Sequence, residues 1–210
     1  MSNVQRVSPL GRFAFGNLVE ISDGSKGDPH WLCALEVQAA DSHPLIELIG
    51  QTVDEGYSDP KLGKLWPKDQ NQLIVPYKQA TRRVEGSEER EVNPDALLFK
   101  FKRRGTIKRD GAEVANTPPV IIGGATGKPL APHQIPPIGY GTTGVVVFQC
   151  NPYSVLGKHG VSLRLLGFQI QNLVEHGQLT QLPAMEGAWA PADEAESVDL
   201  SQLMPVEIAS

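Results

Sequence analysis

Cysteine is nearly absent from this chain. Its 210 residues include only Cys33 and Cys150, too few for a disulfide framework or a thiolate metal cluster. Each stands among apolar neighbours (WLCAL, VVFQCN), as a small buried side chain does. Long apolar runs are missing too. No stretch has the length that crosses a bilayer, and no basic-then-apolar leader opens the sequence. The expectation is a soluble cytoplasmic protein with no membrane partner. Aromatic residues make up only 6%, so a ring beside a cation carries information.

Catalytic patterns are missing as well. The stretch GGATGKP (Gly123 to Pro129) has three residues between its outer glycines where a phosphate loop has four, and Pro129 where a magnesium-holding hydroxyl belongs. The histidines, at 30, 43, 133, 159 and 176, have no ligand spacing. No G-x-S-x-G elbow occurs. The chain reads as a non-enzyme, with no cofactor and no metal.

Charge is present and unevenly spread. The chain is acidic overall, at net -5. Residues 1–60 carry 3 basic and 9 acidic side chains, residues 61–109 carry 13 and 6, and residues 110–176 carry 3 and 3. Residues 177–210 carry 6 acidic side chains and neither lysine nor arginine. A basic middle with an acidic end is the asymmetry of a nucleic-acid binder with an acidic tail. The competing reading is a solvated loop in which Glu85, Glu88, Glu89 and Glu91 pair with nearby arginines.

Many glycines and prolines, 21 and 17, favour short strands joined by turns. RFAFGNLVEI (12–21) reads as a strand with a bulge or bend at Gly16. HWLCALEV (30–37) alternates, with Trp31, Cys33, Leu35 and Val37 on one face. A helix follows: Asp41 or Ser42 can cap it, Pro44 suits its first turn, and Leu45, Ile46, Leu48, Ile49 and Val53 form its apolar stripe. Residues 58–72 read as a loop, 73–81 as an edge strand because of Pro76, and 85–94 as a charged loop. In Leu97 to Arg103, Leu97, Phe99 and Phe101 share one face, and Leu98, Lys100 and Lys102 the other. Turn residues then surround Gly105 and Gly111. Strands are expected at 120–122, 145–149 and 161–174, with an irregular connector at 125–138. In VSLRLLGFQI the apolar parity switches at Leu165-Leu166-Gly167, as a β-bulge would make it, and such a bulge bends a strand in the way a barrel requires. These elements suit a mainly β, OB-fold-like antiparallel barrel with one inserted helix and irregular loops. The boundaries are a DNA-binding barrel domain over 1–176 and an acidic, flexible tail over 177–210.

Binding of an unpaired strand needs cations that follow phosphates and rings on which bases stack. The candidate cations are Arg12, Lys78, Arg82, Arg83, Lys100, Lys102, Arg103, Arg104, Lys108 and Arg109. Tyr77 and Tyr153 follow prolines in polar surroundings and are the candidate stacking rings; Trp66 is a weaker one. Phe99 and Phe101 face inward, since lysines alternate with them. Phe13 and Phe15 lie beside Arg12, with core packing as the competing reading. The tail can occupy the cationic groove and be displaced by DNA, and its Trp189, Leu200, Leu203, Met204 and Ile208 suit partner docking.

Several blocks, in order, resemble one family. They are SPLGRFAFGNLVEI, LIELIGQTVDEGY, LFKFK, PPVIIGGATGKPL and, most specifically, NPYSVLGKHGVSLRLLGFQIQNLVE. Together they resemble the single-stranded DNA-binding proteins of tailed bacteriophages, which are OB-fold replisome proteins. The resemblance implies sequence-independent binding of single strands in DNA replication and recombination, with strand annealing as a further activity. It implies a tail that screens the groove and contacts replication proteins such as a phage polymerase or helicase. By the same resemblance Tyr153 matches a stacking tyrosine, and Lys100 and Lys102 match a Phe-Lys strand. Duplex DNA is a second possible ligand. The alternative is a viral structural or assembly β-barrel that binds protein rather than DNA. Deletion of residues 178–210 is expected to tighten binding of dT oligomers, measured by fluorescence anisotropy at low salt; a truncated chain that binds no better removes the screening role.

Overall fold

The computed structural model describes residues 4–22, 29–84, 89–109 and 111–175. The acidic tail expected at 177–210 lies outside these residues. The elements run β1 (Arg6–Val7), β2 (Gly11–Ser22), β3 (His30–Gln38), α1 (His43–Ser58), β4 (Tyr77–Arg83), β5 (Arg90–Arg104), β6 (Thr106–Arg109), β7 (Ala112–Ala115), β8 (Val120–Gly123), β9 (Thr143–Val155) and β10 (Lys158–Asn172). No helix among the described residues is long and apolar enough to cross a membrane.

Five strands close on themselves in the order β2-β3-β5-β10-β9 and back to β2. Every pairing in this ring is antiparallel except β5 with β10, which is parallel. The fold is thus the mainly β, OB-fold-like barrel that the sequence pattern suggests. Strand alternation explains the core. Trp31, Cys33, Leu35 and Val37 of β3, Phe99 and Phe101 of β5, Val146 and Phe148 of β9, and Leu163, Leu165 and Phe168 of β10 meet inside. Phe101 stands edge-on to Phe148 at 5.2 Å between centroids. β10 keeps its inward residues apolar only because its register against β9 shifts between Leu165 and Gly167. The bulge is where the parity of the sequence switches.

Helix α1 supplies Leu45 and Ile49 to the same core. Pro44 sits in its first turn. Ser42 is the N-cap residue, but its hydroxyl donates back to the Ala39 carbonyl at 2.7 Å and caps nothing. The loop after α1 is held by Trp66, whose buried ring lies edge-on to Tyr57 at 5.1 Å and whose Nε1 donates to the Tyr153 carbonyl at 3.1 Å.

Several boundaries differ from the expectation: β9 and β10 begin earlier than residues 145 and 161, and the turn expected around Gly105 and Gly111 holds β6 and β7. The edge strand begins at Tyr77 rather than Leu73. The charged loop assigned to 85–94 ends earlier, because Arg90 to Asn93 already pair with β4, from Arg83↔Arg90 to Ala80↔Asn93. Pro94 escapes the ladder in a register shift: Gln79 faces Leu97, and the next residue, Ala80, faces Asn93. The Gln79 amide spans the shift, donating to the carbonyls of Asn93 (2.7 Å) and Ala96 (3.2 Å). A side-chain amide thereby replaces part of the ladder that proline interrupts. A small second cluster of Ala34, Ala80, Ala96 and Leu98, with Ala14 against it, tucks the β4–β5 ribbon onto its neighbours.

Gly50 lies on the solvent side of α1, with nothing within 4 Å of a Cβ built there. Gly50→Ala is expected to stabilise the fold by up to about 1 kcal/mol, measured as a higher urea midpoint with an unchanged slope.

Candidate nucleic-acid interface

Alternation along β5 turns Lys100, Lys102 and Arg104 outward, away from Phe99 and Phe101, and all three are exposed. Register then assigns their neighbours. Lys100 stands opposite Ala34 of β3, which stands opposite Phe15 of β2. Lys102 stands opposite Leu32, and Leu32 opposite Asn17. On its other side Lys102 is level with Arg164 of β10, and Arg164 with Gln149 of β9. Directly opposed residues have Cβ atoms about 4.5–5.5 Å apart, so these rows are continuous strips of side chains. Neither row contains a carboxylate.

Phe15 reaches this surface through an irregularity. β2 shifts register against β3 between Phe13 and Phe15, so Phe13 faces Leu35 inside and Phe15 faces Ala34 outside. Phe13 is 4% exposed and Phe15 45%. The adjoining Gly16, at φ 146°, is required by close approach: a Cβ there would strike the Leu32 carbonyl oxygen. Ala34, between Phe15 and Lys100 in this row, is fully buried in the second cluster.

The other sequence candidates fall in different places. Arg12 lies one row away, bonded to Glu36 at 2.9 Å, with its guanidinium 5.2 Å from the centre of the Tyr140 ring. Its charge is thus partly answered by a carboxylate. Arg103 has the parity of Phe101 and turns inward at the strand end. It donates to the Leu165 carbonyl (3.4 Å), Asn116 Oδ1 (3.4 Å) and Thr117 Oγ1 (2.6 Å). Burial, and then the charge of Arg164, pull its pKa below the usual arginine value. Tyr77 packs its half-buried ring on Phe99, 5.5 Å between centroids. Lys78 is exposed opposite Leu98. Arg82, farther along the ribbon, is paired with Glu91 at 2.6 Å. Arg83 stands opposite Arg90, and its side chain lies outside the described residues.

Lys108 and Arg109 are exposed on β6, which among the described residues pairs only with β7 and forms an arm continuing from β5. The arm is rooted by Gly105 N–H to the Pro29 carbonyl (2.7 Å), Asn116 N–H to the Gly105 carbonyl (2.7 Å) and Asn116 Nδ2 to the Arg104 carbonyl (2.8 Å). Tyr153 lies on β9 opposite Gly160, half-buried, and burial raises its phenol pKa.

The structure therefore brings Lys100, Lys102 and Arg104 together with three residues that the sequence reading left out of the site: Phe15, Leu32 and Arg164. Arg164 was visible as the one charge in the alternating run VSLRLL. Phe15 stood out only as a ring beside Arg12, with core packing as the competing reading, because simple alternation pairs it with Phe13.

No protein-family model matches the chain, and no curated protein matches its sequence. Solved structures do match. The crystal structure of gp2.5, a single-stranded DNA binding protein encoded by bacteriophage T7, superposes with a TM-score of 0.62 at 15% identity, covering 88% of this chain and 100% of that one. The single-stranded DNA-binding protein from bacteriophage Enc34, in complex with ssDNA, gives 0.55 at 11% identity over 81% of this chain and 88% of that one. A second structure of the Enc34 protein gives 0.55 at 11% identity, over 85% and 86%. At these identities the likeness is one of fold: this chain has the architecture of bacteriophage single-stranded DNA-binding proteins.

Proposed function

We propose that this protein binds single-stranded DNA without sequence preference, in phage DNA replication or recombination, on the outer face of β3, β5 and β10. The observation that carries this reading is the pair of adjacent strips, Phe15–Ala34–Lys100 and Leu32–Lys102–Arg164, in which cations and an exposed ring alternate with no carboxylate between them. Cations spaced along strands follow a phosphate backbone. A ring offers a face to any base, since every base has one. The shared fold with phage single-stranded DNA-binding proteins supports the same reading.

In this reading Lys100, Lys102, Arg104 and Arg164 neutralise phosphates, and Phe15 and Tyr153 stack bases. Lys78, Lys108 and Arg109 extend the positive field along the ribbon and the arm. Arg12, Arg82 and Arg103 hold the scaffold through the partners described above, and the ring of Tyr77 does so against Phe99. The acidic segment 177–210, outside the described residues, competes for the same cations and carries the contacts with replication proteins. Duplex DNA is held more weakly, because its bases are not free to meet Phe15.

Two experiments test the assignment. In anisotropy titrations with dT oligomers, the Lys100→Ala, Lys102→Ala, Arg164→Ala triple variant is expected to bind weakly. The slope of log affinity against log salt should become shallower by about 0.7 for each phosphate that is no longer neutralised. Phe15→Ala should cost about 1–3 kcal/mol of binding with the slope unchanged. Wild-type affinity in the triple variant would remove this face from the function, and no DNA affinity in the parent chain would favour a barrel that binds protein. Arg103→Ala separates scaffold from site: it should lose about 1–3 kcal/mol of stability in urea titration while leaving the salt slope unchanged.

A further inference from the structure

The β9–β10 turn holds the least comfortable residue of the described chain. β9 and β10 pair up to Val155↔Lys158, so the turn has two residues, Leu156 and Gly157. Their φ angles are 50° and 73°, both in the left-handed region. A two-residue turn of this kind suits Asn-Gly or Asp-Gly. Leucine is among the residues that pay most for it, since its Cβ crowds the carbonyl and it has no side-chain hydrogen bond to compensate. Leu156 is the one non-glycine residue with positive φ among those described, and it is 97% exposed. Neither backbone preference nor packing within the fold accounts for a leucine here. Strain of this sort is kept where a ligand uses it.

The hairpin that carries Leu156 is stiff. Ser154 Oγ and His159 Nδ1 are hydrogen-bonded across it at 2.9 Å. The Ile74 backbone fastens its flank, donating to the His159 carbonyl (2.9 Å) and accepting from Val161 N–H (3.0 Å). Tyr153 stands near the end of β9, three residues before Leu156 and within about 10 Å of it, the reach of a fully extended chain. The hairpin itself carries charge of one sign. No Asp or Glu occurs between Glu113 and Glu175, while Lys158 and Arg164 lie on this hairpin. A rigid aliphatic tip at the end of an acid-free, positively charged hairpin, which carries Arg164 of the cationic strip farther down, suits a polyanion whose apolar groups are its bases.

We infer that Leu156 is an apolar wedge, which packs against the bases of a bound single strand beyond Tyr153 and parts two neighbours in the stack. The inference rests on the single-strand reading above and adds a base contact at the hairpin tip. Aliphatic wedges inserted between base steps part stacked neighbours in the same way when proteins kink duplex DNA.

The test uses the full chain, its Leu156→Asn and Leu156→Gly variants, and dT oligomers with a single 2-aminopurine placed at successive positions. The wild-type chain is expected to raise 2-aminopurine emission in a local maximum, where the probe base loses its stacked neighbour. Both variants should erase that maximum and weaken binding about fivefold. They should also melt at an equal or higher temperature, because Asn and Gly relax the turn. Variants that keep the emission maximum and the affinity overturn the wedge, and assign Leu156 to contact with something other than the strand. A wild-type chain that binds no oligomer at low salt overturns the single-strand reading and the wedge with it. The Lys100→Ala, Lys102→Ala, Arg164→Ala variant tells the two apart: at saturating oligomer it should keep the emission maximum despite its lower affinity, and loss of the maximum there would overturn an independent role for the tip.

Discussion

The parallel pairing of β5 with β10 is the constraint on which both halves of the molecule depend. It closes the ring, and so takes Phe101 and Leu163 out of water together on its inner side. The same register sets Lys102 beside Arg164 on its outer side. One alignment of two backbones thus defines the core and the charged surface at once. A one-residue slip would exchange them, since successive side chains point to opposite faces.

That alignment has an electrostatic cost. Like charges on directly opposed residues are destabilising, and the burial of Arg103 close to Arg164 adds to the local positive potential. The chain is acidic overall, yet among the described residues no acid stands opposite Lys100, Lys102 or Arg164 in these rows. One row away the rule changes, and Arg12 is met by Glu36. A surface that leaves cations unanswered where partners could have been placed is suited to attract a polyanion, and such attraction falls with added salt.

Much of the fold could be read from one-dimensional pattern, because the pattern is a record of burial. The parity switch at Leu165-Leu166-Gly167 marked the β10 bulge to the residue, and alternation in HWLCALEV and LFKFK marked the inward faces of β3 and β5. What escaped was information held between strands. The partner of each strand is not written in its own alternation, so neither the closing pair nor the nearness of Arg164 to Lys102 could be seen. Pro94 and its charged neighbours looked like a loop because the amide that spans the interruption belongs to Gln79, on another strand. Arg103 is a different case. Its parity matched Phe99 and Phe101 all along, but a cluster of basic residues drew attention to charge rather than to direction. Tyr77 looked free after a proline, and only the pairing Tyr77↔Phe99 puts its ring against the core.

The extra residue in β2 has a consequence for how such a surface can arise. Without the shift between Phe13 and Phe15, β2 would run in step with β3 and send both rings toward the interior. The face would then keep its cations and lose Phe15, leaving the half-buried Tyr153 as its remaining ring. A single inserted position turns one ring out through the lattice of the sheet while leaving every other strand where it was. The direction in which Phe15 faces is in this sense a property of phase, set by the count of residues along one strand rather than by the invention of a new loop.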